Sequence, residues 1–302
     1  MTSLPQKLFN GFARYVEKPL FANIANQTTL ARVLDALAVT GMRPLRGTKC
    51  AFLQTPNFRI RRMIPRAAQG NLLLFFHGGG FTVGSSYTHR WLAARIAAEI
   101  GAEAWLPDYR LAPAHPYPAA PDDCIAAYKL ALTCFPPERI VLGGDSAGGT
   151  LVLNTVTRLA ALGLPQPAAL ALLSPLTDLA HTSPSRTAFR DTDMLLPHKW
   201  VTRCMPAYLT GRDPKDPDIS PAYADLSMAP PAALHVAEGE VLYDDAAQLA
   251  EILPNVDFHT WTNVPHVWQL AAGWTTEADA SVQQLAEKLR THLPEHPVQP
   301  EN

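Results

Sequence analysis

Two short stretches of the chain hold residue types suited to acyl transfer. The first is Gly144-Asp145-Ser146-Ala147-Gly148, between an apolar stretch at 140–142 and a proline-free stretch at 147–162. Glycines on both flanks permit a sharp strand-to-helix turn that pushes the serine out at the carboxyl edge of a sheet. A side chain there stands at a helix N-terminus, where free N–H groups and the dipole favour developing negative charge. The second is His77-Gly78-Gly79-Gly80, directly after an apolar run at 72–76. Three glycines in a row leave bare backbone whose N–H groups can approach a ligand atom. A tetrahedral oxyanion needs two or three such donors; Gly78 and Gly79 can supply two and Ala147 a third. Nucleotide binding is disfavoured, because no lysine completes a P-loop and no Gly-x-Gly-x-x-Gly surrounds Ser146.

Both stretches need strand ends to hold them, and the chain supplies an alternation of strands and helices. Strands are predicted at 72–76, 104–106, 140–142, 168–173, 233–237 and 256–261, and helices at 29–39, 90–100, 121–133, 147–162, 244–253 and 277–292. This alternation implies an α/β fold, a parallel sheet with helices on both faces. It breaks at 180–222, which reads as an insertion over one end of the sheet.

Composition narrows the function classes. The chain has 302 residues, 47% hydrophobic and 17% charged, with a net charge of −2, so a sizeable core is expected and phosphate-backbone binding of nucleic acid is not. No apolar run approaches the roughly 20 residues of a membrane-spanning helix. The polar N-terminus, broken by Pro5, lacks a secretory pattern. Cys50, Cys124, Cys134 and Cys204 show no metal or redox spacing and read as reduced thiols of a cytoplasmic protein. The 28 prolines avoid the helices predicted at 147–162 and 277–292; five fall at 107–121 and six at 206–231, where they stiffen long connections.

The motifs resemble those of the bacterial hormone-sensitive-lipase-like esterases (family IV carboxylesterases) of the α/β-hydrolase fold. The resemblance rests on residues 77–80, on Asp108-Tyr109-Arg110-Leu111-Ala112-Pro113 with His115-Pro116 and Pro118-Ala119-Ala120, and on residues 144–149, and runs from about 45 to 292. It implies a mostly parallel central sheet flanked by helices, with a helical cap from residues 1–45 and 180–222 over a hydrolase core of 46–179 and 223–292. Residues 293–302 form a C-terminal tail. The 108–123 loop is then a structural brace beneath the site.

In that fold the triad base follows the last strand. His266 comes after the turn Thr262-Asn263-Val264-Pro265, and Pro265-His266-Val267-Trp268 resembles the family's local sequence. His235 and His259 lie within predicted strands, His77 belongs to the glycine loop, and His292 and His296 are in the tail. The acid should follow the strand at 233–237, where Glu238, Glu240, Asp244 and Asp245 are candidates. The family commonly has an aspartate two residues before a leucine, with another acidic residue two further on. Registering on Leu242 and Asp244 puts Glu240 at the triad position, with Asp244 as the alternative; Asp244 and Asp245 read more simply as helix N-terminal charges.

The implied reaction is hydrolysis of a small-molecule ester by Ser146, His266 and Glu240 through an acyl-enzyme, without metal or organic cofactor. The cap implies short or medium acyl chains, since neither cap segment shows a long amphipathic stripe for a lipid surface. Pairing of two copies through the strand at 256–261 is a further expectation from the resemblance. An amidase or other acyl-transfer hydrolase on the same triad is the alternative. Non-catalytic ligand receptors of this fold lack the triad histidine, which is present here.

Overall fold

The computed structural model describes residues 2–294; all but the first two residues of the tail at 293–302 lie outside that range, as does His296. Its centre is an eight-stranded sheet: β1 (Lys49–Gln54), β2 (Arg59–Ile64), β3 (Asn71–Phe76), β4 (Ala102–Pro107), β5 (Ile140–Asp145), β6 (Ala169–Leu173), β7 (Ala232–Ala237) and β8 (Val256–Trp261). The spatial order is β1-β2-β4-β3-β5-β6-β7-β8. Strands β3 to β8 run parallel to one another, whereas β2 is antiparallel to both β1 and β4. Strands β3 to β7 are buried along their whole length, which explains their unbroken apolar character.

The helices are α1 (Leu4–Phe12), α2 (Lys18–Asn23), α3 (Gln27–Thr40), α4 (Arg90–Glu99), α5 (Ala119–Leu132), α6 (Ala147–Ala161), α7 (Ser185–Ala188), α8 (His198–Leu209), α9 (Tyr243–Ile252) and α10 (Thr276–Arg290). A π-helical turn, Ala13–Glu17, joins α1 to α2. Side chains alternate across the sheet. Leu72, Leu74 and Phe76 of β3 join the core under α5, α6 and α9, and Leu73 and Phe75 join the core under α4 and α10. Strand carboxyl ends therefore meet at one edge, where β3 runs into the glycine loop and β5 into Ser146.

Two strands were not anticipated, and four helices fall in the segments implied to form a helical cap without having been placed individually. β1 and β2 pair antiparallel at one edge with mixed exposure, and arginines fill much of β2. α1 and α2 precede the helix expected at 29–39, and α8 lies in the 180–222 segment together with the short α7. The first helical segment also displays Leu4, Leu8, Phe12, Tyr15 and Val16 to solvent, an apolar row where none was expected.

Candidate active site

Ser146 sits between the end of β5 and the start of α6 with φ 52° and ψ −121°. That backbone costs on the order of 1–3 kcal/mol for a non-glycine residue and persists only where its surroundings enforce it. Here the Ser146 N–H donates to the Leu173 carbonyl at 2.9 Å, and its own carbonyl accepts from Gly149 at 2.9 Å and Leu176 at 3.0 Å. The helix starts hard against β3. A Cβ on Gly148 would lie 2.0 Å from the Phe76 carbonyl oxygen, so only glycine fits.

The glycine loop is pinned from two sides. Tyr109, from the brace loop, donates its hydroxyl to the His77 carbonyl at 2.6 Å, and its ring stacks on His77 with centroids 4.2 Å apart. The brace itself is tied by Arg110, which reaches the buried Asp123 carboxylate at 2.8 Å. On the other side, the Gly78 N–H donates to Asp145 Oδ1 at 3.0 Å, and His89 Nε2 lies 3.3 Å from the same oxygen. Gly78, expected as an oxyanion donor, thus has its N–H turned to a carboxylate, a stronger acceptor than a neutral carbonyl. The Gly79 amide meets no acceptor among the described residues. Ala147 opens α6, where the first N–H groups have no intrahelical partner.

His266 and Glu240 come together as buried partners, His266 Nδ1 lying 3.3 Å from Glu240 Oε2 in an ion-pair approach. The same carboxylate oxygen accepts from Ser174 Oγ at 3.0 Å. His266 precedes Val267, whose φ of 51° is an outlier for a β-branched side chain, so this loop, like the serine turn, is held strained. The other acid candidates face elsewhere. Asp244 Oδ2 accepts from the Ser185 N–H at 2.6 Å, Asp245 binds Arg186 at 2.9 Å, and the exposed Glu238 accepts from Thr260 at 2.9 Å. Burial alone would push the His266 imidazole down; the Glu240 carboxylate, with Asp193 and Asp145 beyond it, reverses this and holds it above its usual value. Burial pushes the Glu240 carboxyl up, opposed by His266 and by the Ser174 hydrogen bond.

Ser146 and His266 line one cavity of about 160 Å³. Gly78, Gly79 and Asp145 form its floor; Phe9, Phe12 and Phe21 wall it from the N-terminal segment, and Leu196 and Trp200 from the 180–222 segment. Two neighbours had no signal in the sequence, Ser174 beneath Glu240 and Asp193, which accepts from the Val241 N–H at 2.9 Å. Both depend on chain segments far apart in sequence, and no motif marks them. Among the described residues no group of histidine, cysteine or carboxylate side chains is arranged to hold a metal ion.

Comparison with known proteins agrees with this geometry. A family described as having the alpha/beta hydrolase fold matches residues 73–270. An acetyl-hydrolase of Streptomyces hygroscopicus is 38% identical over 210 residues, covering 68% of this chain and 70% of the relative. An esterase of Acinetobacter venetianus is 32% identical over 268 residues, covering 83% and 88%. Among solved structures, an esterase from the bacterial hormone-sensitive lipase family superposes with a TM-score of 0.90 at 31% identity, covering 97% of this chain and 100% of that one. EstE5, in crystals soaked with p-nitrophenyl butyrate, gives a TM-score of 0.89 at 29% identity, covering 96% and 99%. The chain belongs to the α/β-hydrolase family, within its bacterial hormone-sensitive-lipase-like esterases. No helix among the described residues is long and apolar enough to cross a membrane.

Proposed function

We propose that the protein is a serine carboxylesterase acting on short- to medium-chain esters through an acyl-enzyme. The observation that carries this is the meeting, in one apolar cavity, of Ser146 on a strained strand-to-helix turn with the buried His266–Glu240 pair. Ser146 attacks the ester carbonyl, His266 takes its proton, and Glu240 holds the imidazole and stabilises its charged form. The oxyanion is received by the amides of Gly79 and Ala147, Gly78 serving to fix Asp145 beneath them. Loss of one oxyanion donor costs about 3 kcal/mol of transition-state stabilisation. Water then cleaves the acyl-enzyme by the same proton relay.

Residues 1–45 and 180–222 act as the cap in this reading, and the small cavity between them supports short acyl chains. Four cysteines without a disulfide support a reducing, cytoplasmic setting. β8 closes one end of the sheet and leaves an unpaired edge suited to joining a second copy. Ser146→Ala should reduce turnover of p-nitrophenyl butyrate by at least about 10⁴-fold with an unchanged circular dichroism spectrum. Activity within a few-fold of the wild type would refute the assignment.

A further inference from the structure

The side chains lining the cavity include four that can carry charge: His89, Asp145, His266 and Glu17. The first two face each other, and His266 faces Glu240. Glu17 makes no hydrogen bond or ion pair with any described residue, and the cations of its own segment and of α8 bind elsewhere. Arg14 reaches the Thr192 carbonyl at 3.4 Å, Lys18 the Asp193 carbonyl at 2.6 Å, and Arg203 of α8 the Phe21 carbonyl at 2.7 Å. Each is spent on main chain, and none answers the carboxylate.

Glu17 closes the π-helical turn, a local distortion that recurs at functional sites. Ala13 and Glu17, four residues apart, lie nearly one π turn from each other and both line the cavity. Around them stand the rings of Phe9, Phe12, Phe21 and Trp200. Aromatic faces beside a carboxylate suit an alkylammonium group, which gains cation–π attraction and charge neutralisation together. Neutral apolar groups would leave the carboxylate without a partner.

We propose that Glu17 and these rings form a subsite for a positively charged ammonium group on the substrate, so that the favoured esters carry a cation on the arm lying against the N-terminal helices. This inference rests on the carboxylesterase reading and adds the substrate class. Burial, with no counter-charge acting on it, pushes the Glu17 carboxyl up to about 7, so recognition of the cation strengthens as Glu17 ionises. His266, His89 and Asp145 also line the cavity, and Asp193 and Glu240 lie behind it. A change of charge at any of them acts on the cationic ester and not on its neutral partner, so their share is read from the ratio that remains in Glu17→Gln.

The test uses the full chain and two pairs of shape-matched esters. One pair carries the cation on the acyl arm, p-nitrophenyl 4-(trimethylammonio)butyrate against p-nitrophenyl 5,5-dimethylhexanoate. The other carries it on the alcohol arm, butyrylcholine against 3,3-dimethylbutyl butyrate. At about pH 8 the charged member of one pair should be preferred by about tenfold in kcat/KM, and Glu17→Gln should abolish that preference. In the wild type the same ratio should fall as pH drops through about 7, and most of that fall should be lost in Glu17→Gln and kept in Glu17→Asp, with circular dichroism confirming that both variants fold. Equal ratios in both proteins and at both pH values, with the neutral esters still hydrolysed, would overturn the subsite alone. Failure to hydrolyse any of the four esters or p-nitrophenyl butyrate would instead overturn the esterase reading.

Discussion

Asp193 Oδ2 accepts the backbone N–H of Val241 at 2.9 Å, so a carboxylate from the inserted segment grips the residue next to Glu240. Its other oxygen accepts from Leu195 and Leu196, both at 2.7 Å, and its carbonyl accepts from Lys18 at 2.6 Å. One residue thus links the N-terminal helices, the cavity wall and the acid loop.

Asp193 also contributes negative charge that helps hold the His266 imidazole up. In the proposed mechanism His266 must be neutral to accept the serine proton, so activity should rise as pH climbs through its elevated pKa. Asp193→Asn removes a charge that favours the protonated ring, and the acid limb of the kcat/KM profile should move to lower pH. It should also cost about 1–3 kcal/mol of stability, since an amide cannot accept on both oxygens. An acid limb that stays put, read by pH-rate profiles, would exclude electrostatic coupling.

Glu240→Gln should lower kcat by about 10³–10⁴-fold, because a neutral amide neither stabilises the imidazolium nor enforces its tautomer. Asp244→Asn is the control. Its carboxylate faces Ser185 rather than His266, so turnover of p-nitrophenyl butyrate should stay within a few-fold of the wild type. A reversed ranking in steady-state kinetics would transfer the acid role to Asp244.

Gly78→Ala should damage the site from beneath. A Cβ there would lie 2.1 Å from Asp145 Oδ2, forcing the carboxylate away from the Gly78 N–H and from His89. The expected loss is about 2–4 kcal/mol of stability with a fall in kcat. Chemical denaturation and kinetics measure the two effects; wild-type values in both would show that the Asp145 contacts are dispensable.

Stability should fall on mild acidification. Burial pushes the His77 imidazole down to about 4 and His235 down to about 3, against an ordinary value of 6.5. The unfolded chain therefore binds protons that the folded chain refuses, and stability drops as pH falls from about 6.5 towards the folded values. For His77 alone the loss between pH 7 and 5 is about 2 kcal/mol. Urea midpoints at the two pH values give the check, and equal midpoints would contradict neutral burial of these rings.

The sheet was most legible where burial is complete. Residues 72–76 and 140–142 read as strands because both faces of β3 and β5 are covered, leaving no polar position to blur the run. β1 and β2 escaped notice for the opposite reason. β2 carries Arg59, Arg61 and Arg62, which pair outward with Asp108, Ser86 and Glu103, so charge interrupts the apolar pattern. Motif and register singled out Ser146 and His266, which line one cavity, and Glu240, which lies against His266. The commitment of the Gly78 amide to Asp145 was not, since backbone direction in a glycine loop is set by tertiary contacts. Glu17 and Asp193 stayed hidden because their meaning depends on which distant segments close over them.

The Ser3 amide and hydroxyl both bind the Glu277 carboxylate, at 2.6 and 2.7 Å, and Lys18 binds the Asp193 carbonyl. The N-terminal helices are thus docked by residues made hundreds of codons after them. Until α10 emerges, the opening segment has no seat and its apolar side chains are open to chaperones. The wall that α1 gives the cavity is therefore seated only once α10 has been made, and a nascent chain cannot hold substrate against it before then.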